Sequence, residues 1–266
     1  MTAWIFTNDA GAVFQSAVVK GASAVLEEAG RSTRVVEVGP LAAPADLPDG
    51  LASQDGALVV ASALSDQALA RLYEHVGGVT LVSHMTEGVQ VPAVLHDNAQ
   101  GMRQLVEHLV SEGRRSLVYV RGDLSQVDGR QREAAFRDEV LRHGLEVSEE
   151  RFLEGGFVPG VASGSVSDLL RRGERFDAVV AADYLMAIEA LRALRTGALD
   201  VPGDVSVVGF GDGPEADGAG LTVVAADVEE LGRRAARQLL AQLNGGRITG
   251  HTLLSTRLVV RRSSGA

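Results

Sequence analysis

The residues able to do chemistry gather at the ends of short apolar runs. Asp183 and Tyr184 follow the apolar run 178–182, and Gly211 and Asp212 follow the run 205–210. Buried runs of this length are the mark of parallel strands, and open α/β sheets hold their ligands outside the carboxyl ends of such strands. A carboxylate placed there accepts from ligand hydroxyls. Arg132 follows the polar loop 122–129 and stands at the start of a predicted helix. A cation at that end opposes the helix dipole. Its position reads either as a bidentate guanidinium clamp on a hydroxylated or anionic ligand or as a solvated arginine beside Arg130. His84 and His96 stand at predicted strand ends, within reach of the same chemistry.

Other chemistries find no support. Gly209-Phe210-Gly211-Asp212-Gly213 is superficially like a dinucleotide loop, but the third glycine is missing and a loop is expected after it instead of a helix. No Walker-type loop and no Gly-x-Ser-x-Gly elbow occurs. The six histidines, His75, His84, His96, His108, His143 and His251, form no HxxxH or HExxH pair, so no metal site is expected. His108 and His143 read as surface or packing residues on helices. No carboxylate pair is fixed at glycosidase separation. No cofactor is implied, and an enzyme is disfavoured because no nucleophile meets a base.

Composition agrees. The 266 residues carry a formal charge of −10, which opposes nucleic-acid binding through the bulk surface. Arg171-Arg172, Arg233-Arg234 and Arg261-Arg262 are only pairs, and read as solvated faces. There is no cysteine, no apolar stretch of membrane-spanning length and no secretory signal, so no membrane is expected and the cytoplasm is the default location.

The elements that must position these residues alternate. Strands are expected at 3–7, 34–38, 56–61, 79–83 and 91–95, with helices at 14–29, 66–75 and 100–112. The alternation restarts with strands at 116–121, 178–182, 205–210 and 223–225 and helices at 130–143, 163–172, 186–194 and 228–243. A strand at 253–260 closes the chain. This predicts an α/β fold of two similar doubly wound parallel-sheet lobes, with a hinged ligand cleft between them.

Several segments resemble the effector-binding core of LacI/GalR transcriptional regulators. FQSAVVKGASAVLEEAG (14–30) is similar to the family's first helix. Asp97-Asn98 with Gly101, followed by VEHLVSEGRRSLVYVRG, resembles its central strand entry and helix. Arg132 with Ala135-Phe136 fits Arg-x-x-Gly-Phe, with alanine for glycine. DYLMAIEALRAL, VPGDVSVVGF and Leu221-Thr222-Val223 are the most specific stretch, and LLSTRLVVRRSSG resembles the closing strand and tail. The resemblance runs from Ile5 to Gly265.

It implies a periplasmic-binding-protein-like fold with three crossovers, near 96–98, 225–227 and 255–256. The lobes become 1–96 plus 226–254 and 97–225 plus 255–266. It further implies a homodimer, a small effector of sugar or nucleoside type, and repressor-type control of operator DNA through an N-terminal helix-turn-helix. That headpiece is absent from the sequence, which is expected to be a trimmed regulator. A stand-alone solute-binding or sensor protein is the alternative. Arg132 falls on the family's ligand-clamping arginine. Asp183 stands where Asn or Ser is usual, Tyr184 on the usual Asp, and Gly211 on the first Asp of Gly-Phe-Asp-Asp, whose second Asp is kept as Asp212. His84 lies near a first-lobe position that is often Asp. Asn8, Asp9, Phe14 and Ser62 occupy strand-end loops or a helix start in the first lobe. Phe14 either stacks on a ligand ring or packs against its own helix.

Overall fold

The computed structural model describes residues 1–86 and 90–265. They divide into two compact units, 1–96 with 227–254 and 97–226 with 255–266. Ala226 groups with the second unit.

In the first unit the order is β1 (Thr2–Thr7), α1 (Val13–Glu28), β2 (Ser32–Glu37), β3 (Gly56–Val60), α2 (Asp66–His75), β4 (Gly78–Val82) and β5 (Ala93–His96). In the second it is α3 (Asn98–Ser111), β6 (Leu117–Val120), α4 (Val127–Arg142), β7 (Phe152–Leu153), α5 (Val161–Arg171), β8 (Ala178–Ala181), α6 (Tyr184–Thr196), β9 (Ser206–Phe210), α7 (Pro214–Ala219) and β10 (Thr222–Ala225). The chain returns to the first unit with α8 (Val228–Leu243) and β11 (His251–Leu254), and to the second with β12 (Arg257–Val259).

Each unit holds one six-stranded sheet, ordered β11-β5-β4-β3-β1-β2 and β12-β10-β9-β8-β6-β7. All pairings are parallel except β10 with the edge strand β12. Every residue of β3, β4, β5, β6, β8 and β9 is buried, which is why these strands read as near-continuous apolar runs.

Three expectations need correction. The closing strand is two strands in different sheets, β11 and β12, because the chain crosses units at residues 255–256. Phe152–Leu153 is a strand too short to show a period. Pro214–Ala219 is a short helix after all, entered through proline at its first position.

Helix packing locks each sheet. α1 and α8 cross so closely that a Cβ on Gly21 would lie 2.1 Å from the Glu229 carbonyl oxygen, and one on Gly232 2.1 Å from that of Val18. In the second unit Tyr119 stacks on Phe136 at 4.6 Å between ring centroids, with Phe152 at 5.8 Å from each.

Candidate functional site

In the first unit the carboxyl ends of β1, β3 and β4 lie side by side, since those strands are neighbours. At strand spacings of about 4.8 Å this gathers Asn8, Ser62 and His84 along roughly 10 Å of rim. Asn8 accepts a hydrogen bond from Gln15 at 3.0 Å. Asp9 is exposed, and its Oδ1 takes the amides of Gly11 and Ala12, both at 3.1 Å. Ser62 and His84 are buried. Phe14, in the first turn of α1, is half-buried against the unit's core.

β3 and β4 each run into a left-handed residue, Ala61 at φ 50° and Ser83 at φ 48°. The conformation is uncommon for residues with a Cβ and clusters at ligand sites. Ladder bonds hold both: Ala61 N–H donates to Val82 and Ser83 N–H to Val94.

The second unit's rim follows β9, β8, β6 and β7. Arg132 lies in the second turn of α4, not at its start, and is buried rather than solvated. Its Nε donates to Asn98 Oδ1 and its Nη1 to the Ala182 carbonyl, both at 2.8 Å, and Nη2 pairs with Asp128 at 3.4 Å. The guanidinium lies 3.9 Å from the Phe210 ring centroid. Arg132 thus ties α3 and α4 to the ends of β8 and β9. Asn98 is drawn in as well, donating to Asp128 at 2.8 Å and Gln131 at 2.9 Å.

Asp183 is the N-cap of α6: Oδ1 accepts from Leu185 N–H at 2.7 Å and Met186 N–H at 3.1 Å. Burial pushes its carboxyl above the usual aspartate range, against the pull of those amides and of Arg132. Tyr184 is buried beneath the glycines of the β9 end. A Cβ on Gly211, which is left-handed at φ 88°, would lie 3.2 Å from Tyr184 Cδ1. One on Gly213 would lie 2.9 Å from Tyr184 Oη and 3.2 Å from Glu215 Oε2. The buried phenol oxygen lies beside the Glu215 carboxylate. Burial, then the charges of Glu215, Asp183 and Asp212, push its pKa up to about 12. Asp212 is held by Arg261, and Gly213 N–H donates to its Oδ1 at 2.9 Å.

One rim residue escapes sequence reasoning. Phe157 follows β7 in a left-handed conformation, φ 59°, with its ring where a Cβ on Gly122 would intrude at 2.2 Å. The ring therefore folds back from the β7 end over the β6 end. The signal was an aromatic inside the loop Gly-Gly-Phe-Val-Pro-Gly, residues 155–160.

A groove of about 670 Å³ lies at the β7 edge, lined by Glu149, Phe152, Glu154, Asp168, Arg171 and Arg172 among others. Among the described residues no group of three His, Cys, Asp or Glu could hold a metal, and no helix is long and apolar enough to cross a membrane.

The periplasmic binding protein-like domain family matches residues 106–264. The HTH-type transcriptional regulator CelR of Thermobifida fusca is 34% identical over 220 residues, 79% of this chain and 63% of that protein. The lactose operon repressor of Escherichia coli (strain K12) is 28% identical over 247 residues, 92% of this chain and 66% of that protein. The chain thus spans a little under two thirds of the length of each. Among solved structures, a transcriptional regulator CelR–cellobiose complex is 28% identical with a TM-score of 0.84, covering 98% of this chain and 84% of that one. A Lac repressor dimer bound to operator and the anti-inducer ONPF shares the fold at 23% identity, TM-score 0.88, covering 100% and 82%.

Proposed function

We propose a function for a chain that belongs to the LacI/GalR family of transcriptional regulators: it is the part that binds a small polar effector. Its relatives are transcriptional regulators rather than enzymes. The observation that carries the reading is the gathering of polar and aromatic side chains at the carboxyl ends of neighbouring parallel strands in each unit. Asn8, Asp9, Phe14, Ser62 and His84 serve the effector from the first unit, and Arg132, Asp183, Tyr184 and Phe157 from the second. Asp212 acts at one remove, by fixing the end of β9. Arg132, paired with Asn98, Ala182 and Asp128, holds the rim in place behind the ligand.

The solved CelR neighbour is a complex with cellobiose, and a sugar suits a rim rich in acceptors. In the whole regulator, effector binding changes operator affinity by favouring one of two conformers, which requires different affinities for the two. On this reading the regulator works as a homodimer and acts on operator DNA.

The test is a thermal-shift screen of neutral sugars and nucleosides. A true effector raises Tm in proportion to the logarithm of its excess over Kd, and Phe157→Ala or Phe14→Ala diminishes the rise. A panel that shifts nothing overturns the reading.

A further inference from the structure

The strand-end loops hold almost no cation. In the first unit, loops 8–12, 38–46, 61–65, 83–86 and 90–92 contain neither lysine nor arginine. In the second, neither do loops 154–160, 182–183 and 211–213. Loop 121–126 contributes Arg121, which is taken up by Glu133, Glu149 and Glu154 at 3.1–3.5 Å. Behind it, Arg132 is paired with Asp128, and Arg130 gives its Nη1 to the carbonyls of Leu124 and Ser125.

Helix N-termini are the other means of binding an anion, since their free amides and dipole favour negative charge. Here the protein's own carboxylates cap α3, α6 and α8 and accept amides at or just ahead of the entrances of α1, α4, α5 and α7. Asp9 takes the amides leading into α1, and Asp97 takes Gln100 N–H in α3. Asp123 takes Ser125 N–H ahead of α4, and Glu189 takes Gly160 and Ser163 N–H at α5. Asp183 caps α6, Asp212 takes Gly213 N–H at α7, and Asp227 caps α8. α2 is capped by a neutral group, Ser65 Oγ. An incoming phosphate or carboxylate would meet paired cations and amides already facing a negative charge.

We infer that the effector is uncharged, and that the carboxylates at the helix entrances exclude phosphorylated counterparts of whatever neutral molecule binds. The inference rests on the effector-binding reading above and narrows it. Neutral polyols and neutral heterocycles fit the acceptor-rich rims; sugar phosphates and nucleotides do not.

The experiment compares matched pairs by thermal shift and calorimetry at low ionic strength: glucose with glucose 6-phosphate, cellobiose with cellobiose 6′-phosphate, and adenosine with adenosine 5′-monophosphate. The binding pair is expected to show at least a tenfold weaker Kd for its phosphorylated member. Asp9→Asn combined with Asp183→Asn keeps an oxygen for each set of amides but removes both charges. It is expected to narrow that ratio at least threefold, and its Tm without probe reports whether it folds. Should it not fold, Glu189→Gln provides the same comparison at α5. A phosphorylated member binding as tightly as its neutral partner overturns the inference and leaves the effector reading standing. So does a ratio unmoved in folded variants. No binding by any neutral probe overturns both.

Discussion

The Arg261 guanidinium holds both carboxylate oxygens of Asp212, Nη1 to Oδ1 at 3.0 Å and Nη2 to Oδ2 at 2.9 Å. Arg261 also donates to the Leu221 carbonyl at 2.9 Å and pairs with Asp217 at 3.4 Å. The pair links the tail beyond β12 to the end of β9, and it gives Asp212 a structural task. Arg261→Met should lower stability by about 1–3 kcal/mol, because a half-buried carboxylate and a carbonyl lose their donor. Asp212→Asn, which keeps one acceptor oxygen, should cost less. Denaturant titration checks both, and a larger loss in Asp212→Asn would reverse the assignment.

Tyr184 and Gly211 are expected to be energetically coupled. Gly211→Asp must place a Cβ 3.2 Å from the Tyr184 ring at a left-handed backbone position, and should destabilise by about 1–3 kcal/mol. Tyr184→Ser alone should also cost stability through lost burial. The double variant should recover part of the Gly211→Asp loss, with a coupling of about 0.5–3 kcal/mol in a double-mutant cycle. Strict additivity would contradict the packing relationship. Tyr184→Phe keeps the ring against Gly211 and should cost less stability than Tyr184→Ser.

Asp183 gives a pH dependence of definite sign. Its native pKa is raised, so the folded state binds more protons than the unfolded state between the ordinary aspartate value and the native one. Stability must therefore fall as pH rises through that window. Asp183→Asn keeps an acceptor for the α6 amides and buries no charge. It should be more stable than the parent above the native pKa, with the advantage vanishing on acidification toward the ordinary aspartate range. Asp183→Ala loses the cap itself, about 1 kcal/mol. Melting curves across pH 3–8 on all three proteins check the sign; a stability of the Asn variant relative to the parent that falls as pH rises would contradict it.

What was legible in the sequence was the alternation. Buried runs such as Ala178–Ala181 and Ser206–Phe210 and the helices between them announce a parallel sheet. The helix Asp66–His75 and the helix Val228–Leu243 stand where periodicity puts them. What stayed hidden was pairing at a distance. Nothing local to Asp212 shows that Arg261 will meet it, and, apart from Asp128 one helical turn away, nothing local to Arg132 shows the Asn98 and Ala182 around it. Phe152–Leu153 gives no period to read, and residues 253–260 look continuous although a crossover divides them. The left-handed conformations of Ala61, Ser83 and Phe157 are set by ladder bonds and packing, so no residue preference signals them. The positions of the candidate site were thus readable as strand ends, while the partners that occupy several of its groups were not.

The central claim is that a small effector sits on the strand-end rims. Hydrogen exchange read by mass spectrometry, with the chain saturated by the neutral probe that raises its Tm, tests this most directly. Slowed exchange should concentrate in segments 8–12, 61–65, 121–126, 154–160 and 182–185. Protection confined to the groove residues 149–153 and 165–172, with those rims unchanged, would contradict it.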